Sequence, residues 1–235
     1  MKRGLLLSVL LIVLLPQSLW AMHLPEMILP AKWAGLWFVA VAPAFVWGLH
    51  TIKRKSLENP RYKAMVALMG ASVFIISCMP IPVPFVGACA HPCGTGLAAL
   101  LIGPGPTVVL ASIALALQAL FLSHGGLTTL GANLFSIGLI GAFAGYAIFW
   151  AVRRMHGSLF TSAFLAGLIS HLLTYVSISL VLGLGLQGSM SWNELFVKAL
   201  TAFLPFMIPI GILEGILTAS AYRFICARVK MDMRN

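Results

Sequence analysis

Long apolar runs separated by short polar segments constrain this chain more than any other feature. They lie near 31–50, 64–80, 94–103, 105–122, 131–152, 159–184 and 196–227. A helix of about 20 apolar residues crosses a ~30 Å hydrocarbon core, and a helix satisfies all of its backbone hydrogen bonds internally. Hydrophobic residues make up 60% of the 235 residues and charged residues only 9%. The sequence therefore predicts an all-α, polytopic integral membrane helical bundle.

The N-terminal segment has the three parts of a secretory signal peptide. Basic residues precede an apolar stretch from Leu5 to Leu15, and Ala21 ends a possible cleavage region. The apolar stretch is short for a ~30 Å bilayer core. We therefore expect residues 1–21 to be removed and residues 22–235 to form one integral membrane domain. An uncleaved anchor helix and a translation start at Met22 are the alternatives.

The basic residues indicate how the chain crosses the membrane. A net charge of +10 would suggest nucleic acid binding in a soluble protein, but here the charges fall at the ends of apolar runs, so we expect no nucleic acid partner. The three clusters are Lys53, Arg54, Lys55, Arg61 and Lys63; Arg153 and Arg154; and Arg223, Arg228, Lys230 and Arg234. All three clusters lie on one side of the membrane only if the segment 94–122 crosses it twice. That segment would then form a short helix, a break at Gly103-Pro104-Gly105-Pro106, and a full-length helix. The positive-inside rule then predicts seven helices in a bacterial cytoplasmic (inner) membrane, with the mature N-terminus outside.

Met22 and His23 offer three adjacent nitrogens to a metal ion if cleavage follows Ala21. These are the α-amine of Met22 and the amide and imidazole of His23, and they leave one corner of a square open. Such a square suits Ni²⁺, Co²⁺ or Cu²⁺ and suits Mg²⁺ or Ca²⁺ poorly. The predicted topology puts the 80–93 loop on the same side as the N-terminus, so His91 is the candidate fourth ligand. A solvated or structural histidine is the alternative for His91.

Three segments carry a resemblance to a known family. They are the Met22-His23-Leu24-Pro25-Glu26 start, the Pro82-Val83-Pro84 segment followed by His91, and the run from Gly125-Gly126 through Gly131 to Asn133. Together they resemble the CbiM/NikM family, the substrate-capture components of energy-coupling-factor transporters for cobalt or nickel. The resemblance implies a helical membrane bundle with a metal site made by Met22, His23 and His91. It also implies a coupling membrane subunit, a pair of cytoplasmic ATPases and often a small accessory membrane subunit.

The loop around His91 departs from the pattern of that family. Family members usually have small and hydroxyl residues before the histidine and Leu-Leu-Gly-Gly after it, whereas Cys89 and Cys93 flank His91 here. The two cysteines could form a disulfide in an oxidising compartment, remain free, or contribute a thiolate. Thiolate ligation would favour softer ions, including Cu(I). An alternative function is therefore a membrane-embedded metalloenzyme, or a copper-handling or assembly factor, that uses the Cys89–Cys93 loop.

Four further polar residues have expected roles. His171 and Glu214 lie about equally deep in the predicted sixth and seventh helices, and a hydrogen bond between them is the plain interpretation, with a proton or ion relay as the alternative. They lie too deep to ligate an ion held by the terminal amine. Asn133 could orient a ligand imidazole or cap a helix. His124 is expected to be a solvated loop residue, with a place near the metal entrance as the alternative.

Motifs that the sequence lacks bear on the mechanism. It contains no Gly-x-x-x-x-Gly-Lys-Ser/Thr, no His-Glu-x-x-His and no Gly-x-Ser-x-Gly. We therefore expect a transporter subunit that is not an enzyme and that relies on other chains to use ATP. Cobalt and nickel both accept nitrogen ligands in this arrangement, so the sequence does not separate them.

Overall fold

Seven helices make up the fold of the part of the chain that the structure, a computed structural model, describes: residues 23–79, 81–83, 88–188 and 190–229. They are α1 (Ala31–Glu58), α2 (Pro60–Ser77), α3 (Thr95–Ile102), α4 (Pro104–Phe121), α5 (Leu130–Arg154), α6 (Leu159–Gly185) and α7 (Trp192–Val229). A short antiparallel pair of strands, β1 (Ile81–Val83) and β2 (Ala88–Ala90), lies between α2 and α3. The predicted signal peptide, residues 1–21, and Met22 fall outside the described residues.

The predicted all-α membrane bundle is confirmed, including the break in 94–122. Gly103 separates α3 from α4 with a φ of +96°, a conformation that glycine adopts readily, and Pro104 then starts α4. Five helices (α1, α4, α5, α6 and α7) are long and apolar enough to cross a membrane. The eight residues of α3 extend only about 12 Å at 1.5 Å per residue, so α3 is a half-helix within the bundle.

The helices begin and end where local chemistry permits. The side chain of Asn59 accepts a hydrogen bond from the Arg61 N–H at 2.9 Å, and Pro60 occupies the first turn of α2. Ser158 caps α6 in the same way by accepting from the Thr161 N–H at 3.1 Å. Helix α1 continues past its apolar run through the basic cluster to Glu58, because Lys and Arg are good helix formers.

Contacts between helix termini show which of them lie together at each end of the bundle. At one end, the last residue of α6, Gly185, lies against Leu29 and Trp33 at the start of α1. At the other end, the Lys55 ammonium lies 5.4 Å from the Tyr62 ring centroid, and the Tyr62 hydroxyl donates to the Ile102 carbonyl at 2.8 Å. The segment that leads into α1 therefore lies at the end opposite the basic cluster of α1 and α2.

Small residues allow the helices to approach closely. A Cβ atom at Gly48 of α1 would lie 2.2 Å from the Gly105 carbonyl oxygen of α4, and one at Gly167 of α6 would lie 2.6 Å from the Thr218 hydroxyl of α7. Such close approach is the usual basis of helix association in lipid, where the hydrophobic effect offers little driving force. These crossings fix α1 on α4 and α6 on α7.

Helix α5 contains a π-helical segment, Leu134–Ile140, just inside its start. The wider turn alters the backbone ladder there, and the Thr174 hydroxyl of α6 donates to the Ser136 carbonyl at 3.3 Å. π-Helical segments are uncommon and occur frequently at functional sites. This one lies on the side of α5 that faces α6, close to the site described next.

Candidate metal site

The N-terminal segment is tied to the loop between α4 and α5 by side-chain and main-chain hydrogen bonds. The Glu26 carboxylate accepts from the main-chain N–H groups of Leu127 and Thr128, at 2.5 and 3.1 Å, and the Thr128 hydroxyl accepts from the Met27 N–H at 2.9 Å. The Leu24 carbonyl accepts from the Gly126 N–H at 3.1 Å. These contacts hold the residues that follow His23 in one place on the bundle.

Asn133 completes this attachment from inside helix α5. Its side-chain oxygen accepts from the Leu24 N–H at 2.8 Å, and its side-chain nitrogen donates to the Leu24 carbonyl at 3.1 Å. Neither of the predicted roles for Asn133 describes these contacts: it binds the main chain next to His23 rather than an imidazole, and it makes no cap hydrogen bond. Asn133 therefore positions His23 through the backbone.

Three imidazoles meet at this end of the bundle, from His23 at the N-terminus, His91 before α3 and His124 after α4. We refer to them as the three-histidine group. Their ring centroids are 4.5 to 5.1 Å apart, and one ring nitrogen from each lies within 4.8 Å of the others. The Nε2 atoms of His91 and His124 are 3.2 Å apart. The predicted meeting of His23 and His91 is thus present, with a third imidazole beside them.

The three rings are held neutral by their surroundings. Burial, and then the neighbouring His91 and His124, lower the pKa of His23 well below its usual range, which the main chain of His124 opposes weakly. Burial lowers the pKa of His91 to about 3, and burial also lowers the pKa of His124. Neutral imidazoles are the form that binds metal ions. The group therefore offers ligand lone pairs without first having to lose protons.

His23 is buried without a hydrogen bond. It is 1% exposed, and among the described residues neither of its ring nitrogens has a hydrogen-bond partner of good geometry. A buried polar group without a partner costs free energy, and such groups are rare outside functional sites. A neutral imidazole keeps a lone pair on one ring nitrogen, and in His23 no hydrogen bond occupies it among the described residues, so it is available to a metal ion.

His124 takes the alternative of its two predicted places, beside the metal site, and the expected solvated position is wrong. It is half-buried rather than a solvated loop residue, because the loop that starts at Ser123 folds over the N-terminal segment. Gly125 has a φ of +86°, and a Cβ atom there would lie 3.1 Å from the His23 Cβ. The Gly125-Gly126 pair directly after His124 was the available signal, since it permits close approach of the N-terminal segment.

Cys93, His171 and Glu214 form a second cluster, which we call the inner group. His171 Nδ1 lies 2.7 Å from Glu214 Oε2, so the expected contact between the pair is present. Glu214 also accepts from the main-chain N–H groups of Cys93 and Gly94, each at 2.9 Å. All three side chains are buried, and one ligand atom from each lies within 4.8 Å of the others.

The inner group shows that the loop after His91 enters the bundle. His171 is the thirteenth of the 27 residues of α6, which puts it near the middle of the helix. That the His171–Glu214 pair lies too deep to ligate an ion held by the terminal amine stays a prediction, but residues 93 and 94 reach that depth, and their main-chain N–H groups donate to Glu214. The carboxylate also lies at the N-terminus of α3, where a negative charge is favourable.

The two cysteines of the loop differ in what the structure shows. Cys93 is a free thiol, 1% exposed, and burial and Glu214 raise its pKa well above the usual range. It belongs to the inner group and not to the three-histidine group. The side chain of Cys89 and all of Met22 fall outside the described residues, so their predicted roles stay predictions.

Comparison with known proteins identifies the family. The family model described as "Cobalt uptake substrate-specific transmembrane region" (CbiM) matches residues 23–233. A protein of Sorangium cellulosum named cobalt transport protein CbiM is 48% identical over 207 residues, which cover 88% of this chain and 92% of that protein. A Geobacter sulfurreducens protein of the same name is 49% identical over 199 residues, 85% of this chain; the match spans only 58% of that longer protein.

Two solved structures have the same fold. One, titled as a truncated transition metal transporter, superposes with a TM-score of 0.75 at 24% identity and covers 87% of this chain and 98% of its own. The other, titled as a transition metal transporter, also has a TM-score of 0.75, at 22% identity, and covers 90% and 95%. At this identity the superpositions establish the fold alone. Together with the match over residues 23–233, the sequence relatives show that the chain belongs to the CbiM family.

Proposed function

We propose that this chain captures Co²⁺ or Ni²⁺ as the substrate-specific membrane component of an ATP-driven energy-coupling-factor transporter. The ion is the cargo of the protein and not a catalytic cofactor. It binds at the end of the bundle that faces away from the cytoplasm. A coupling membrane subunit and a pair of cytoplasmic ATPases complete the transporter, and a small accessory membrane subunit can join them.

The convergence of the three imidazoles is the observation that carries this proposal. They come from segments far apart in sequence, they are buried together, and His23 keeps both ring nitrogens without a hydrogen-bond partner among the described residues. Nitrogen donors of this kind suit Co²⁺ and Ni²⁺, whereas Mg²⁺ and Ca²⁺ prefer oxygen. The names of the relatives, cobalt transport protein CbiM, agree with such a cargo.

In this proposal the ligands are the Met22 amine, the His23 amide and imidazole, and the His91 imidazole. His124 supports the site from beside His91, either as a further donor or as a hydrogen-bond partner of that ring. Asn133 and the loop that contains Gly125 hold His23 at the required place. The chain contains no P-loop motif, so energy for release must come from other subunits.

The first test measures binding of Co²⁺ and Ni²⁺ to the purified protein after mass spectrometry has defined its N-terminus. We expect His23→Ala and His91→Ala to lose binding of the first equivalent, because each removes a strong nitrogen donor. His50→Ala is the matched control, since His50 is exposed and lies far along α1 from the site. Retained high-affinity binding in both His23→Ala and His91→Ala would refute the proposed site.

The N-terminus provides the second test. One residue added between Ala21 and Met22 moves the histidine to position three, where an extra amide nitrogen can complete the square without His91. We expect metal binding to persist while uptake of radioactive nickel or cobalt falls in cells that express the complete transporter. Unchanged uptake with a confirmed extended terminus would show that the free amine of Met22 is not required.

A further inference from the structure

We propose that the inner group, Cys93, His171 and Glu214, is a second binding site for a divalent transition metal ion. The ion would reach this site after the three-histidine group, on its way into the bundle. This inference rests on the proposed function, because it requires that an ion reach the histidines. It assigns a role to a buried cluster that lies outside the ligand set of the first site.

The donor types of the inner group suit the same class of ion. A thiol, an imidazole and a carboxylate come from the loop before α3, from α6 and from α7. Each residue is at most 1% exposed, and one ligand atom from each lies within 4.8 Å of the others. Co²⁺, Ni²⁺ and Zn²⁺ accept sulfur, nitrogen and oxygen together, whereas Mg²⁺ and Ca²⁺ do not take thiolate.

The contact between His171 and Glu214 marks the place of the ion. His171 Nδ1 and Glu214 Oε2 lie 2.7 Å apart, close enough to bind one metal ion together. An ion bound there displaces the proton of Nδ1, which moves to Nε2, so the imidazole stays neutral. Nε2 is buried and has no hydrogen-bond partner among the described residues.

The charges of the inner group fit a dication inside a membrane. A Cys93 thiolate and the Glu214 carboxylate supply two negative charges, and a neutral His171 adds none, so the occupied site is neutral overall. The thiol gives up one proton to solvent for each ion that binds. An uncompensated charge within the bilayer is expensive. The three-histidine group contains no acidic side chain, so the inner group neutralises a buried ion better.

The two groups are continuous along the chain and in space. Cys93 of the inner group follows His91 of the three-histidine group by two residues, and the main-chain N–H groups of Cys93 and Gly94 donate to Glu214. Buried hydroxyls lie beside the inner group: Thr95 Oγ1, Ser170 Oγ and Thr174 Oγ1 would all lie within 3.3 Å of a Cβ atom at Gly141. Thr95 and Ser170 have no hydrogen-bond partner for these oxygens among the described residues.

The test titrates the purified full chain with Co²⁺ and records metal stoichiometry and absorption. We expect two equivalents, with a sulfur-to-cobalt charge-transfer band that appears as the second binds, because only the inner group contributes a thiolate. Cys93→Ser should keep the first equivalent and lose the band together with the second. The retained first equivalent shows that this variant is folded. Cys78→Ser and Cys89→Ser are the matched controls and should behave like the wild type.

The outcomes separate this inference from the proposed function. A single equivalent without a thiolate band, a band that survives in Cys93→Ser, or a band that is lost in Cys89→Ser would each overturn the inner site. His91→Ala should lose the first equivalent and keep the thiolate band. If His91→Ala binds two equivalents as tightly as the wild type, the proposed first site is wrong while the inner site stands.

Discussion

Individual residues set the protonation state of the candidate site. Burial keeps the imidazoles of the three-histidine group neutral, and their mutual repulsion adds to this effect in His23 and His91. A free histidine has a pKa of about 6.5, so these rings stay neutral at pH values where an exposed histidine would be charged. This arrangement has a cost for folding that depends on pH.

We predict that the metal-free protein loses stability as the pH falls below about 6.5. The unfolded chain then binds protons that the folded chain excludes, and the loss continues toward the His91 pKa of about 3. The slope is at most about 1.4 kcal/mol per pH unit for each buried ring. Unfolding temperatures in detergent with a chelator, from neutral to mildly acidic pH, check this.

His91→Gln is the matched variant for this measurement, because glutamine does not titrate. Its unfolding temperature should depend less on pH than that of the wild type, because one of the three buried imidazoles that resist protonation has been removed. An unfolding temperature that is constant over this pH range in the wild type, or an equal pH dependence in His91→Gln, would contradict the neutral three-histidine group.

The sequence predicted the meeting of two site residues and missed two other features. His23 and His91 could be paired because the charge clusters put both on one side of the membrane. His124 could not be distinguished from a solvated histidine, because its burial depends on how the following loop packs on the N-terminal segment. The contact of Asn133 with the Leu24 backbone was also out of reach, since it depends on where that segment lies.

At the scale of helices, close crossings between small residues hold the bundle together. Helix α1 is mostly exposed to the surroundings of the bundle, and α4 is its main support near Gly48 and Gly105. A side chain larger than hydrogen at Gly48 would collide with the Gly105 carbonyl, 2.2 Å from its Cβ position. The crossing therefore depends on glycine at that position.

We predict that Gly48→Ala lowers the unfolding temperature in detergent, with a cost of about 1–3 kcal/mol for forcing the helices apart. Gly35→Ala is the matched control in the same helix, because no atom lies within 4 Å of its Cβ position. Alanine favours a helix over glycine by up to ~1 kcal/mol, so Gly35→Ala should be neutral or stabilising. The crossing is not required if Gly48→Ala is as stable as Gly35→Ala.

Hydropathy and charge were sufficient for the number of helices and for the break at Gly103, because lipid restricts backbone polar groups so strongly. Hydropathy and charge could not predict how deep the segment after His91 reaches into the bundle. The 80–93 loop was expected on the side of the N-terminus, and the end of this loop reaches inward: Cys93 and the following Gly94 donate hydrogen bonds to Glu214 in α7. Hydropathy cannot detect such an inward loop, since it records only the length and polarity of a segment.

The whole molecule has two chemically different ends. The three-histidine group, the start of α5 and the end of α6 lie at one end, and the basic residues at the end of α1, the start of α2 and the end of α5 lie at the other. Lys and Arg remain on the cytoplasmic side of membrane proteins. This charge distribution supports our proposal that the capture site faces away from the cytoplasm, where an incoming ion arrives.

We predict that a cysteine at Leu127 is labelled by a membrane-impermeant thiol reagent in intact cells with a permeabilised outer membrane, whereas a cysteine at Met155 is not. Both positions are exposed, at 44% and 80%, so burial does not limit the reaction at either. The natural cysteines are replaced by serine first; Cys93, at 1% exposed, would be a poor reporter. Met155→Cys should react once the inner membrane is opened.

Labelling of Met155→Cys in intact cells without labelling of Leu127→Cys would show that the proposed orientation is wrong. The three-histidine group would then face the cytoplasm, where it could not capture ions from outside.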